Sequence, residues 1–196
     1  MNQKQDFIER ILPYRLGAVE VMGLAIRYRF NWSAPVRMEV LFDGKLSIEG
    51  LSSAFTNPAI EAGIIHCRAL LEFLGLRADK TNHAKLAQRP TGRADDLLIE
   101  HFSNAAGALP LVKPSEAVAA YQGPPEEAER ALARAIHVAN KGLAHSTVGL
   151  IADSDDHRLI EIASRGVPAL LFKHFYAPLG LAAPSKLIKE RARDVT

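Results

Sequence analysis

Hydrophobic positions recur along most of this chain with the 3.6-residue period of a helix. Ile8, Ile11 and Leu12 share a face before Pro13, and Leu16, Val19, Met22, Gly23 and Ile26 continue that spacing to about Arg29. The run from Leu16 to Ile26 is interrupted by Glu20 and falls short of the roughly 20 apolar residues that cross a bilayer, so it reads as a buried helix. Asn57-Pro58 is expected to open the next helix. Asparagine is a good N-cap, proline suits the first helical position, Glu61 complements the dipole and Gly75 closes the C-terminal end. On this helix Ile60, Ile64, Cys67, Leu71 and Leu74 form one apolar face, while Ala62, His66, Ala69 and Phe73 keep the other side largely apolar, which predicts a central position. Asp95 to Phe102 reads as a short helix and Glu126 to Ala144 as a long one. Asp156 to Tyr176 reads as another, which Gly166 and Pro168 should break or kink.

One stretch alternates instead. Val36, Met38, Val40 and Phe42 are separated by more polar residues, Asp43-Gly44 marks a turn, and Leu46 and Ile48 alternate again, which predicts a β-hairpin within 36–49. A two-residue loop would set Val40 opposite Ser47 and split the apolar faces, whereas a three-residue loop pairs Phe42 with Leu46 and Val40 with Ile48. The odd loop is therefore expected, with a helix through Val36, Val40 and Leu41 as the alternative. The pattern as a whole predicts a mainly α fold, a bundle of about five to seven helices in a single domain over 1–196, with this small hairpin. Residues 77–93 form a basic linker in which Arg77, Lys80, Lys85, Arg89 and Arg93 face only Asp79. It reads as a solvated loop, with an electrostatic landing strip for a polyanion as the alternative. Residues 185–196 read as a surface helix or tail.

Composition narrows the function classes. The chain has 196 residues, 48% of them hydrophobic, enough for a real core. Its 24 Lys and Arg against 22 Asp and Glu give a net charge of +2, so any nucleic-acid binding must come from a local patch. The single cysteine, Cys67, excludes an intrachain disulfide and fits a reducing compartment, and Met1 to Arg10 lacks the apolar core of a signal peptide. A cytoplasmic protein with no membrane partner is expected. Gly-rich phosphate loops, CxxC pairs and HExxH are absent, and Asp153-Ser154-Asp155-Asp156-His157 reads as a capped helix start and not a metal site. No metal and no cofactor are expected.

Two constellations carry the candidate chemistry. Glu61, Arg68 and Glu72 fall on one narrow stripe of the central helix, and charges on a mostly apolar helix need partners. They are expected to form a buried or interfacial polar cluster, the alternative being an Arg68–Glu72 ion pair at i, i+4 with Glu61 as a cap. Cys67 and His66 read as core residues. On the long helix Leu132, Ile136, Ala139 and Leu143 make the buried face, and Arg130, Arg134, His137, Lys141 and His145 run opposite as a basic stripe. In a monomer this stripe is a solvated face; in a homodimer two stripes would frame a positive groove.

The end of that helix, Asn140-Lys141-Gly142-Leu143-Ala144-His145-Ser146-Thr147, concentrates an amide, an ammonium, an imidazole and two hydroxyls. Asn-Lys followed three residues later by Ala-His, near the end of a bundle helix, resembles the motif region of the HEPN superfamily, small all-helical proteins of toxin–antitoxin and defence systems. Arg68 to Leu74 and Asp95-Asp96-Leu97 are also similar to HEPN-like bacterial proteins, so the resemblance spans residues 58–150. It implies metal-independent RNA chemistry, with His145 handling protons and a cation stabilising the charged phosphorane. The family places an arginine before the histidine with four to six residues between them; those positions here are Asn140, Ala139 and Val138, and alignment on Asn140 puts Ala139 where the arginine belongs. Lys141 offers a point charge and not a bidentate fork. Losing one preorganised stabilising group reduces rate by about 100- to 1,000-fold.

The expectation is therefore a homodimeric RNA-binding or interaction module degenerate in catalysis. Its candidate catalytic residues are His145, Lys141 and Asn140, and its candidate nucleic-acid contacts are Arg130, Arg134, His137 and Lys141. One alternative is an active endoribonuclease. Another is an antitoxin-like or structural subunit that binds a protein partner and no RNA, which has no need to present a basic stripe.

Overall fold

The computed structural model describes residues 3–90, 96–119, 121–143, 154–186 and 188. The fold is mainly α with small hairpins, as the periodicity predicts. The first helix, α1, is an α-helix over Gln3–Asp6, widens into a π-helical turn at Phe7–Ile11 and continues as α-helix through Leu12–Asn31. Proline lacks the N–H of an ordinary helical bond and its ring crowds the preceding turn. The chain accommodates Pro13 by taking π geometry just before it, where the Leu12 N–H donates to the Phe7 carbonyl.

Arg37–Phe42 (β1) and Lys45–Leu51 (β2) form the expected hairpin. Its loop is not the three-residue one. Asp43 and Gly44 turn the chain alone, with φ of 51° and 75°, the positive values a type I′ loop requires. A bulge between Val40 and Leu41 then supplies the odd residue: Ser47 drops out of register, Val40 still faces Ile48, but Phe42 faces Lys45 and Leu41 faces Leu46. The parity problem is solved in the strand instead of the loop.

The central helix, α2, spans Ser53–Phe73 and so begins ahead of the expected Asn57 cap. Ser52 closes the hairpin onto it: the Val36 N–H donates to Ser52 Oγ (3.1 Å) and the Ser52 N–H to the Val36 carbonyl (2.8 Å). Pro58 thus lies inside the helix, and Ala54, whose carbonyl it leaves without a helical donor, is exposed. Ile64, Cys67, Leu70 and Leu71 are buried, and burial pushes the Cys67 thiol pKa up. Gly63 lets α2 approach α1 closely, because a Cβ there would lie 2.2 Å from the Met22 Cβ.

What reads as a linker is partly structured. Leu76–Ala78 (β3) and Leu86–Gln88 (β4) pair antiparallel, with Leu76 and Leu86 buried. Asp79 organises the turn between them by accepting the N–H groups of Thr81 (2.8 Å) and Asn82 (2.9 Å) and the Thr81 hydroxyl (2.7 Å), bonds that hold its pKa at about 2. Of the helix expected from Asp95 to Phe102, Asp95 lies outside the described residues, and among the described ones only a 3₁₀ turn forms, at Ile99–His101. The chain leaves it extended at Phe102, whose ring enters an aromatic cluster with Phe7, Phe73 and Phe175. Ser103–Asn104 (β5) and Gly107–Ala108 (β6) make a third small hairpin.

Helix α3 spans Pro114–Val118. Helix α4 spans Pro125–Val138 and ends in a π-helical turn, Ala139–Leu143. Helix α5 spans Ser154–Leu171 and ends in another, Phe172–Tyr176. Pro168 does not break α5, since Val167, Leu170 and Leu171 hold both sides of the proline in the core. Helices α1, α2, α4 and α5 pack on one another around that core. Among the described residues, no helix is long and apolar enough to cross a membrane.

Candidate interaction surface

The basic stripe forms on α4, and α5 packs alongside with carboxylates opposite it. Asp155 and Asp156 fall in the first turn of α5, where the helix dipole favours negative charge. Arg134 grips Asp156 with a two-pronged fork, Nε to Oδ1 at 2.7 Å and Nη2 to Oδ2 at 2.5 Å, and Asp156 is buried. Arg130 Nη2 reaches Asp155 Oδ2 at 2.7 Å. Arg158, also on α5, bonds back to Glu127, which accepts from the Tyr121 hydroxyl as well. The sequence places two arginines on one face of a helix; packing turns them into the fastening between α4 and α5.

The basic stretch 77–93 is likewise engaged. Lys85 pairs with Glu129 of α4 at 2.8 Å, Arg89 with Asp96 at 2.5 Å, and Arg77 donates to the carbonyls of Gln88 (3.0 Å) and Ala78 (3.1 Å). The β3–β4 turn brings the His83 ring 4.3 Å from that of His137 on the stripe. Lys141 is exposed on the π turn after α4, and Asn140 beside it is half-buried. His145 and Arg93 lie outside the described residues, as does most of the tail over 185–196.

Glu61 is exposed on α2, beside a cleft of about 280 Å³ between α1, α2 and α5 that it shares with Arg29, Phe30 and His157. Arg68 and Glu72 form the i, i+4 ion pair at 2.9 Å, half-exposed, about two turns further along α2. Among the described residues, no three His, Cys, Asp or Glu side chains gather as metal ligands would.

Four imidazoles, His66, His137, His157 and His174, are held below the ordinary histidine pKa, in each case first by burial. Neighbouring cations add to this, Arg15 at His66 and Arg134 and Lys141 at His137, while Asp156 opposes it at His137 and His157. The folded chain therefore binds fewer protons than the unfolded chain once pH falls below about 6.5. Stability from these groups is fully present above that pH and is lost as pH falls toward the depressed folded values. Thermal unfolding followed by circular dichroism is expected to give a lower Tm at pH 5.5 than at pH 7.5. An equal or higher Tm at the acidic pH would show that these histidines do not control acid stability.

The surface that sequence reasoning overlooked is the β1–β2 hairpin. Leu41, Phe42, Leu46, Ile48 and Leu51 are between 51% and 63% exposed. Phe30 at the end of α1, Val36 before β1 and Phe55 at the start of α2 add exposed apolar surface around its base. All seven residues of β2 are exposed, and among the described residues the sheet ends at two strands, with no further strand along either outer edge. The alternation that predicts the hairpin carries the signal. Two strands alone cannot bury two rows of leucine and phenylalanine, so the excess apolar residues mark a surface to be covered.

Comparison with protein-family models, curated proteins and solved structures finds no match to this chain. Fold and surface together define a mainly helical domain with a projecting apolar hairpin.

Proposed function

We propose that this protein is a protein-interaction subunit whose working surface is the β1–β2 hairpin. One observation carries the reading: among the described residues, the exposed large apolar side chains concentrate between Phe30 and Phe55, on and around a two-stranded hairpin. Contiguous apolar patches of this kind are where soluble proteins meet partners, and each Å² removed from water contributes about 25 cal/mol. A two-stranded hairpin is marginal in water by itself, so a partner that covers it stabilises it as well.

The state of the basic stripe supports the same choice. Phosphate contacts made by Arg130 or Arg134 would compete with Asp155 and Asp156, and the Arg134 fork is the costlier to open because Asp156 is buried. A subunit that binds protein and no RNA has no need of that face. The test combines two measurements. A photo-crosslinking residue placed at Phe42 in cells should give a protein adduct that disappears when Leu46 and Ile48 are changed to serine. Fluorescence anisotropy with labelled single-stranded RNA at low salt should detect no binding. Salt-sensitive RNA binding, or RNA cleavage in EDTA that His145→Ala abolishes, would return the function to nucleic acid.

A further inference from the structure

The geometry points to a binding site for a free aliphatic α-amino acid in the cleft between α1, α2 and α5, with Arg29 on its carboxylate and Glu61 on its ammonium group. The site is separate from the hairpin surface and adds a small ligand to the proposed function. The first argument is charge. Elsewhere the helices match their charges, Arg134 with Asp156, Arg130 with Asp155 and Arg68 with Glu72. Arg29 and Glu61 line one cleft with opposite charge and are both exposed, yet among the described residues neither forms an ion pair, with the other or with any neighbour. A ligand that carries both signs on one carbon would satisfy both. The guanidinium fork suits the carboxylate, which it can grip with two parallel bonds.

The second argument is the lining beneath those charges. Ile26, Ile64, Val138 and Ile160, all buried, and the half-buried Ile60 present only aliphatic carbon. An apolar lining with a few polar groups to fix orientation is the make-up of a small-molecule site. Drug-sized ligands occupy about 300 to 1,000 Å³. A cleft of about 280 Å³ takes a smaller one, such as leucine or isoleucine. Phe30 and His157 form one wall, their ring centroids 4.2 Å apart. Burial holds His157 below the ordinary histidine pKa, with Asp156 opposing and Arg29 reinforcing, so this wall is uncharged at neutral pH. Asp156 also lines the cleft, but the Arg134 fork already matches its charge.

The third argument is Asn57. Because α2 begins at Ser53, this residue caps nothing; it lies within the helix and lines the cleft one turn before Glu61. Asparagine is disfavoured inside a helix, where its amide competes for backbone groups. Here the amide makes no hydrogen bond among the described residues. It offers a donor to a carboxylate and an acceptor to an ammonium group, the two partners a zwitterion brings.

The experiment is an NMR titration of the isotope-labelled full chain with L-leucine to about 10 mM, where even a millimolar Kd is resolved. Leucine should saturate well below that concentration and shift the amides of residues 26–30 and 57–64. Leucinamide lacks the carboxylate and N-acetyl-leucine the ammonium group, and each should bind about tenfold more weakly or worse. Lysine sets a charge against the aliphatic lining and should lose as much. Arg29→Gln should weaken leucine about tenfold and leave leucinamide unchanged, whereas Glu61→Gln should weaken leucine and leave N-acetyl-leucine unchanged. Both residues are exposed, so both variants should fold, which circular dichroism checks. Leu46→Ser with Ile48→Ser, on the hairpin, should bind leucine as wild type does. Absence of a saturable shift, equal affinity for leucine and its two blocked forms, variants at Arg29 and Glu61 that bind leucine normally, or loss of binding in the hairpin variant overturns the inference. Each of the first three leaves the hairpin reading standing, since the Phe42 crosslink tests that separately.

Discussion

Gly63→Ala is expected to destabilise the protein by about 3 kcal/mol, the upper range for adding a methyl group to a packed core. At an ordinary helical site the same substitution stabilises by about 0.5 to 1 kcal/mol, because glycine loses the most backbone freedom on folding. Here the added Cβ would lie 2.2 Å from the Met22 Cβ and 2.8 Å from its Cγ and Sδ. The closest of these atoms sits at the root of the Met22 side chain, so no change of rotamer moves it, and α1 must separate from α2. Gly166→Ala on α5 is the control: its nearest neighbour is Leu132 Cδ2 at 3.6 Å, an ordinary contact, and it should raise stability by about 0.5 to 1 kcal/mol. Urea unfolding of both variants decides the matter. A Gly63→Ala protein as stable as wild type would mean that the two helices do not meet at this glycine.

The second large effect is expected at Arg134. Arg134→Ala should destabilise by about 3 kcal/mol or more, because it leaves Asp156 buried without its partner. Arg130→Ala and Arg68→Ala, whose ion pairs with Asp155 and Glu72 are substantially exposed, should each cost less than about 1 kcal/mol. Replacing both members of the buried pair, Arg134→Met with Asp156→Leu, should recover most of the loss, since no charge is then stranded. Denaturant midpoints for the four variants test the ranking; an Arg134→Ala loss no greater than that of Arg130→Ala would show that the fork does not fasten α4 to α5. The result bears on function too. Weaker RNA binding by an Arg134 variant means little unless the variant is shown to be folded.

The elements that were legible in the sequence are those whose evidence is local. The apolar face of α2 at Ile64, Cys67 and Leu71, the long α4 with Arg130 and Arg134 on one side, and the hairpin turning at Asp43-Gly44 all follow from the period of the chain and the chemistry of a turn. Where local rules competed, the neighbouring structure chose between them. Asn57-Pro58 has good capping chemistry, but Ser52 is tied to Val36, and the helix starts there and runs through the proline. Pro168 should interrupt α5, but the burial of Val167 and Leu171 keeps it helical. The hairpin needs one extra residue to align its faces, and that need is the same whether loop or strand supplies it; the bulge at Ser47 is one of two equivalent answers.

The candidate site divides along the same line. Spacing alone determined that Arg130, Arg134, His137 and Lys141 share a helical face, because that face is a property of one helix. Only the tertiary structure decided that Asp155 and Asp156 stand against the two arginines, because their pairing depends on how α4 and α5 pack across a gap in sequence that no local rule spans. Alternation likewise determined that β1 and β2 pair. Whether a hairpin's apolar residues are covered depends on a third layer of structure, and among the described residues none lies over Leu41, Phe42, Leu46 and Ile48. Periodicity fixes which side chains share a face; burial and charge pairing are relations between faces, and those exist only once the helices and strands have met.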